Sequence, residues 1–108
     1  MMEISKSDWK LYREKLAGWQ ESYMARLNQE YIALLSAEDK KASEKFWELD
    51  KRIKSDRRHP GVIIEVSKSN AIFDIVSLIR LEVITYDDFA DFSENLQQVV
   101  KLLLDKYR

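Results

Sequence analysis

Residues 7–35 read SDWKLYREKLAGWQESYMARLNQEYIALL, and their bulky side chains stand at Trp9, Tyr12, Leu16, Trp19, Tyr23, Leu27, Tyr31 and Leu34. Steps of three and four residues place these side chains along one side of an α-helix, which repeats every ~3.6 residues. Unbroken, that helix is ~42 Å long at ~1.5 Å per residue, longer than a chain of this size usually needs. Ser7, or Ser5 with Asp8 three residues on, supplies an N-terminal capping signal. Gly18 falls mid-helix, where it costs ~1 kcal/mol relative to Ala. A close approach by another helix beside Trp19, or a bend, would account for it; close approach is the expectation, because Trp19 needs a neighbour to cover it.

Beyond this stretch, breakers are sparse: the chain has two glycines and one proline, Gly18, Gly61 and Pro60. Long helices with short joints follow. Ser36 with Asp39 reads as the start of a second helix with an apolar set of Ala42, Phe46, Leu49 and Ile53. Glu48 with Arg52 and Asp50 with Lys54 are placed for i,i+4 ion pairs on its exposed side. The run Arg57-Arg58-His59-Pro60-Gly61 should end it, since Pro disfavours helical geometry in the residue before it. Pro60 also suits the first position of a third helix.

Residues 62–81 are the most ambiguous part. The β-branched runs at 62–64 and 83–86 fit short strands, but Ile64, Ile72, Ile75 and Ile79 with Phe73, Val76 and Leu78 form a broad helical face. A helix apolar on most sides is a central one, so this segment is assigned to the middle of a bundle, with Asp74 and Arg80 reaching its rim or bonding to partner side chains. Thr85 with Asp88 forms a capping box and Ile84 with Phe89 a hydrophobic staple, introducing a short helix over 86–92. Ser93 then caps a last helix carrying Leu96, Val99, Val100, Leu103 and Tyr107. The expected fold is all-α: one domain over residues 1–108, an irregular up-down four-helix bundle with a long N-terminal helix and a short helix before the last one. Its core should draw on Tyr12, Leu16, Trp19, Tyr23, Leu27, Phe46, Leu49, Ile53, Ile72, Ile75, Val76, Ile79, Phe89, Leu96, Val99, Val100 and Leu103.

Composition narrows the function classes. Hydrophobic residues make up 45% of the 108 and charged residues 34%, which suits a folded domain rather than a disordered tail. The longest apolar runs, Val62-Ile63-Ile64 and Leu102-Leu103-Leu104, fall far short of the ~20 residues of a membrane span. The first ten residues lack a basic segment followed by an apolar core, so no secretory signal is visible and the cytoplasm is the default location. Absence of cysteine removes disulfide and thiolate chemistry.

The pieces DWKLYREKLAGWQESYMARLNQEYIALLS, KFWELDKRI, HPGVIIEVSKSNAIFDIVSLI and VITYDDFADFSENL together resemble a family of small, uncharacterised helical proteins from anaerobic gut-type bacteria. Relatives in that family often carry the generic label "multidrug transporter", which the lack of any membrane-spanning stretch here contradicts as a molecular function. The resemblance covers nearly the whole chain and implies a self-contained bacterial helical domain; it contains no catalytic motif and adds no activity.

No catalytic residue, metal ligand or cofactor site emerges from the sequence. His59 is the single histidine, and no nucleophile elbow, zinc motif or phosphate-binding loop occurs. Asp87, Asp88, Asp91 and Glu94 are dense, but they lack the calcium-loop pattern and suit the N-termini of two successive helices. Net charge is −1, yet residues 40–59 carry eight bases against four acids. Lys51, Arg52, Lys54, Arg57, Arg58 and His59 form a basic end to helix two, a candidate contact for nucleic acid. Its intervening acids and the acidic pI of about 5.9 favour a solvated helix end instead.

The aromatic residues Trp9, Tyr12, Trp19, Tyr23, Tyr31 and Trp47 are the candidate interface. Most can be core, but Trp and Tyr in quantity also mark interfaces, and Trp47 falls off its helix's apolar stripe. The reading is therefore a non-enzymatic interaction protein that pairs with itself, as a homodimer along helix one, or with another protein. Nucleic-acid binding through the basic end, or a hydrophobic ligand held between Trp and Tyr rings, are the alternatives.

Overall fold

The computed structural model describes residues 3–107, and it is all-α. Four helices run in the order α1 (Lys6–Ser36), α2 (Ala42–Asp56), α3 (Ala71–Arg80) and α4 (Glu94–Lys106), with 3-10 turns at Lys68–Asn70 and Asp87–Phe89. Among the described residues there is no strand. α1 is continuous through Gly18, and nothing lies within 4 Å of where a Cβ there would be, so the expected close approach does not occur.

The elements divide into a head and an arm. The head packs Ile4, just ahead of α1, and Tyr12 and Leu16 from the first half of α1 against Ile72, Ile75, Val76 and Leu78 of α3 and Leu96, Val100 and Leu103 of α4. Val83, Ile84, Phe89 and Phe92 from the connection between α3 and α4 fill the remainder. Local signals set these elements as expected. Ser5 Oγ accepts the Asp8 N–H, Ser93 Oγ accepts the Leu96 N–H, and Thr85 and Asp88 bond reciprocally. α3 ends in a Schellman motif: the Val83 N–H reaches the Leu78 carbonyl and the Glu82 N–H that of Ile79, with Glu82 at φ 60° where glycine is usual. A buried polar tie crosses the head. The Asp8 carboxylate, buried, accepts both the backbone N–H (2.9 Å) and the hydroxyl (2.5 Å) of Ser93, locking the start of α1 to the start of α4.

The arm is the second half of α1 with α2 folded back along it through a five-residue connection, and it gives the molecule its length of 52 Å against 27 and 21 Å. Several boundaries differ from the sequence reading here. α2 begins at Ala42 rather than near Ser36, because α1 keeps its helical path through Ser36 and the chain needs residues 37–41 to reverse. Val62 belongs to the turn at Pro60, and residues 63–67 are neither helix nor strand; they lead the chain from the arm back to the head, reaching it extended at Ser67, so the central helix spans only Ala71–Arg80. Their β-branched side chains tolerate that path, and Pro60 sits in a turn instead of opening a helix. The short helix expected over 86–92 is a single 3-10 turn.

Candidate functional site

The arm carries one feature the head does not: α2 has no buried residue. Phe46 and Ile53, expected in the core, are 63% and 43% exposed, and Trp47 is 65% exposed with its ring edge-on to Phe46 at 5.0 Å. Leu35 and Ile32 near the end of α1 are also open. The cause is one of length. α3 and α4, at 10 and 13 residues, reach only the first half of the 31-residue α1, and nothing remains to cover the far side of the hairpin.

Phe46, Ile53 and Leu35 gather on one side, while Trp47, ~100° round from Phe46, stands on the outer edge of α2. At ~100° per residue, Phe46, Ile53 and Ala42 fall within ~40° of each other on α2, while Lys45, Leu49, Arg52 and Asp56 turn toward α1. Met24, Asn28 and Leu35 align similarly on α1. These two stripes border a single groove: Met24, Leu27, Asn28, Tyr31, Ile53, Asp56, Arg57 and Val62 line a cavity of about 280 Å3 at the base of the arm. Glu44, Glu48, Lys51 and Ser55 lie on the opposite side of α2, and between that side and α1 an ion pair ties the two helices. Arg52 bonds Glu30 at 3.0 Å and approaches Asp56 at 3.5 Å. Glu48 pairs with Lys40, and not with Arg52 as its spacing suggested, whereas Asp50 and Lys54 pair as expected. The hairpin thus has an apolar face and a charged face.

Five of the six candidate interface rings are engaged by the chain itself. Tyr12 is fully buried, with Trp9 at 6.0 Å and Trp19 at 6.4 Å, and Trp19 continues to Phe92 at 6.1 Å. Tyr23 stacks on His59 at 4.6 Å. Tyr31 donates to Asp56 at 2.5 Å; burial and then that bond push its phenol up to about 12. Trp47 alone of the six stands open. Phe46, Ile53, Leu35 and Ile32 belong with it, and periodicity missed them because a stripe facing a neighbour and a stripe facing solvent look alike in sequence.

The basic end is partly spent inside the arm. Arg52 and Lys54 are in ion pairs, and Arg52 also lies 5.5 Å over the Tyr31 ring. His59 is held against Tyr23, its Nδ1 accepting the Gly61 N–H at 3.0 Å, and burial lowers its pKa. Lys51, Arg57 and Arg58 remain exposed. The acidic residues disperse too: Asp88 caps the turn at Thr85 and Asp91 pairs with Lys15. Among the described residues no three His, Cys, Asp or Glu side chains gather as a metal site, and no helix is long and apolar enough to cross a membrane.

The joint between head and arm is closely fitted. A Cβ on Gly61 would fall 2.3 Å from the Tyr23 ring, so the close approach expected at Gly18 occurs at the other glycine. Gln20 donates to the Pro60 carbonyl, and Arg26 donates to the Glu82 carbonyl while lying 5.0 Å over Tyr23.

No protein-family model, curated protein or solved structure matches the chain. The geometry of the arm is therefore what bears on function.

Proposed function

We propose that this chain is a protein-interaction module that works by presenting the open face of its helical arm. The observation that carries the reading is the two-sidedness of the hairpin: Phe46, Ile53, Leu35 and Ile32 stay exposed on the side of the groove, with Trp47 on its outer edge, while the other side holds the Glu30–Arg52 ion pair. Together these five side chains leave roughly 500 Å2 of apolar surface open, taking each as its exposed share of a ~150–250 Å2 side chain, which is the size of the largest patch on a typical monomer, a patch that is often functional. A Phe–Trp pair with a pocket beside it is the composition of an interface hot spot. An α-helical surface is the natural counterpart, because stripes at helical spacing interlock with stripes of the same spacing.

The test places a photo-crosslinking phenylalanine analogue at Ser43, on the open face, and separately at Ser55, on the charged face, of the chain expressed in its own cells. Protein adducts from position 43 and none from position 55 are expected. Equal yields from both positions, or none from either, would overturn the reading.

A further inference from the structure

Resting on that reading, we infer that the arm's partner is a second copy of this chain, the two α2 helices pairing antiparallel about a two-fold axis with Phe46 of each copy seated in the groove of the other.

Three observations support the pairing. The first is surface left over. The chain exposes 7742 Å2, whereas a compact monomer of its 12.8 kDa exposes about 6,300 Å2. Its radius of gyration is 16.8 Å against about 13 Å for a compact domain of its length. Covering the open face on two copies removes about 1,000 Å2 of apolar surface, and the polar rim brings the total to the lower end of the ~1,200–2,000 Å2 of specific interfaces.

The second is self-complementarity. Knob and hole sit on the same stripe: Phe46 is two turns, ~10 Å, before Ile53, which lines the groove. A two-fold axis crossing α2 between residues 53 and 54 carries Phe46 of one copy over the groove end of the other, and the reverse, so both knobs are seated at once. The groove's volume, about 280 Å3, exceeds the ~150 Å3 of a cavity that admits benzene.

Charge is the third. The same axis sets Asp50 of each copy opposite Arg57 of the other. Both residues lie on the edge of the Phe46–Ile53 stripe, within ~20° of each other, and Asp50 is tied only to the exposed Lys54 at 3.0 Å. The like-charge run Arg57-Arg58 thereby meets an acid instead of a base.

Sedimentation velocity over ~1–300 µM spans the affinities of an interface this small and is expected to show reversible dimerisation. Phe46→Glu should weaken it by at least ~10-fold, as loss of a hot-spot ring does, with circular dichroism and Tm unchanged because Phe46 supports no core. Asp50→Arg and Arg57→Asp should each weaken the dimer, and the double swap should restore it. Because the chain has no cysteine, Lys54→Cys should form an intermolecular disulfide next to the axis, while Glu44→Cys on the opposite face should not. A monomer at every concentration, or a Phe46→Glu dimer of full strength, would overturn the pairing. A monomer that still gives adducts with other proteins from position 43 would remove self-pairing and leave the interaction reading standing. A monomer without such adducts would remove both.

Discussion

Head and arm are built from the same kinds of residues, yet they use them differently. In the head, Phe89 is fully buried and stacks on Phe92 at 4.7 Å; in the arm, Phe46 is 63% exposed and touches Trp47 edge-on. Leu16 in the first half of α1 is buried, while Leu35 near its end is open. The difference is one of neighbours. The head surrounds the first half of α1 with α3, α4 and the 83–92 connection, whereas the second half meets α2 on one side only. A two-helix hairpin cannot enclose a core, so its side chains hold the helices along a seam and leave a face over. Stability therefore resides mainly in the head, and availability for contact resides in the arm.

The largest expected effect would break that contrast outright. Phe89→Ala should cost about 3–5 kcal/mol of global stability by emptying a packed site, while Phe46→Ala should stay within about 0.5 kcal/mol in dilute solution. Chemical denaturation of both variants measures this. Equal losses would mean that the arm belongs to the same cooperative core.

The two glycines give the next test, at the joint. Gly61→Ala forces a methyl group into the Tyr23 ring and should destabilise by about 1–3 kcal/mol as an overpacked contact. Amide exchange should then quicken in α2 before it does in α3 and α4. Gly18→Ala meets nothing and should stabilise by about 1 kcal/mol through helix propensity, visible as a raised Tm. Opposite signs would show that Gly61 fits a contact and Gly18 merely tolerates an open position.

The smallest effect is a pH dependence confined to the joint. His59 is neutral where Nδ1 accepts the Gly61 N–H, and its pKa is lowered from 6.5 by burial, with Arg26 acting in the same direction and Asp56 against it. In that interval the unfolded chain binds more protons than the folded one. The contribution is complete above pH 6.5 and is lost as pH falls through the folded-state value. His59→Phe keeps a ring on Tyr23 without titrating. Its stability should therefore change less than the wild type's between pH 7 and the acid limb, as followed by thermal melts in matched buffers.

Legibility in the sequence followed the same division. In the head, Ser5, Thr85 and Ser93 announce their caps, and Tyr12, Leu16, Ile72, Ile75, Val76, Phe89, Leu96, Val100 and Leu103 were recognisable as core from spacing. Those signals are local, and tertiary packing agrees with them. In the arm, Leu27 is buried as its spacing indicated, but α2 departs from its expected packing. Phe46 and Ile53 share a stripe that points at no partner within the chain, and the groove beside them is formed by residues from 24 to 62. Residues 63–67 were misjudged because their apolar run suits any conformation, and only the span from arm to head selects a non-helical one.

What the order of residues determined by itself is the set of rods: their periodicity and their caps, since each depends on backbone bonds and side chains within a few positions of one another. Only the tertiary structure decided which sides of those rods are covered. Coverage depends on how far α3 and α4 reach along α1, and that reach is fixed by the return path of residues 57–70 and the fit of Gly61 on Tyr23, contacts between positions up to 40 residues apart.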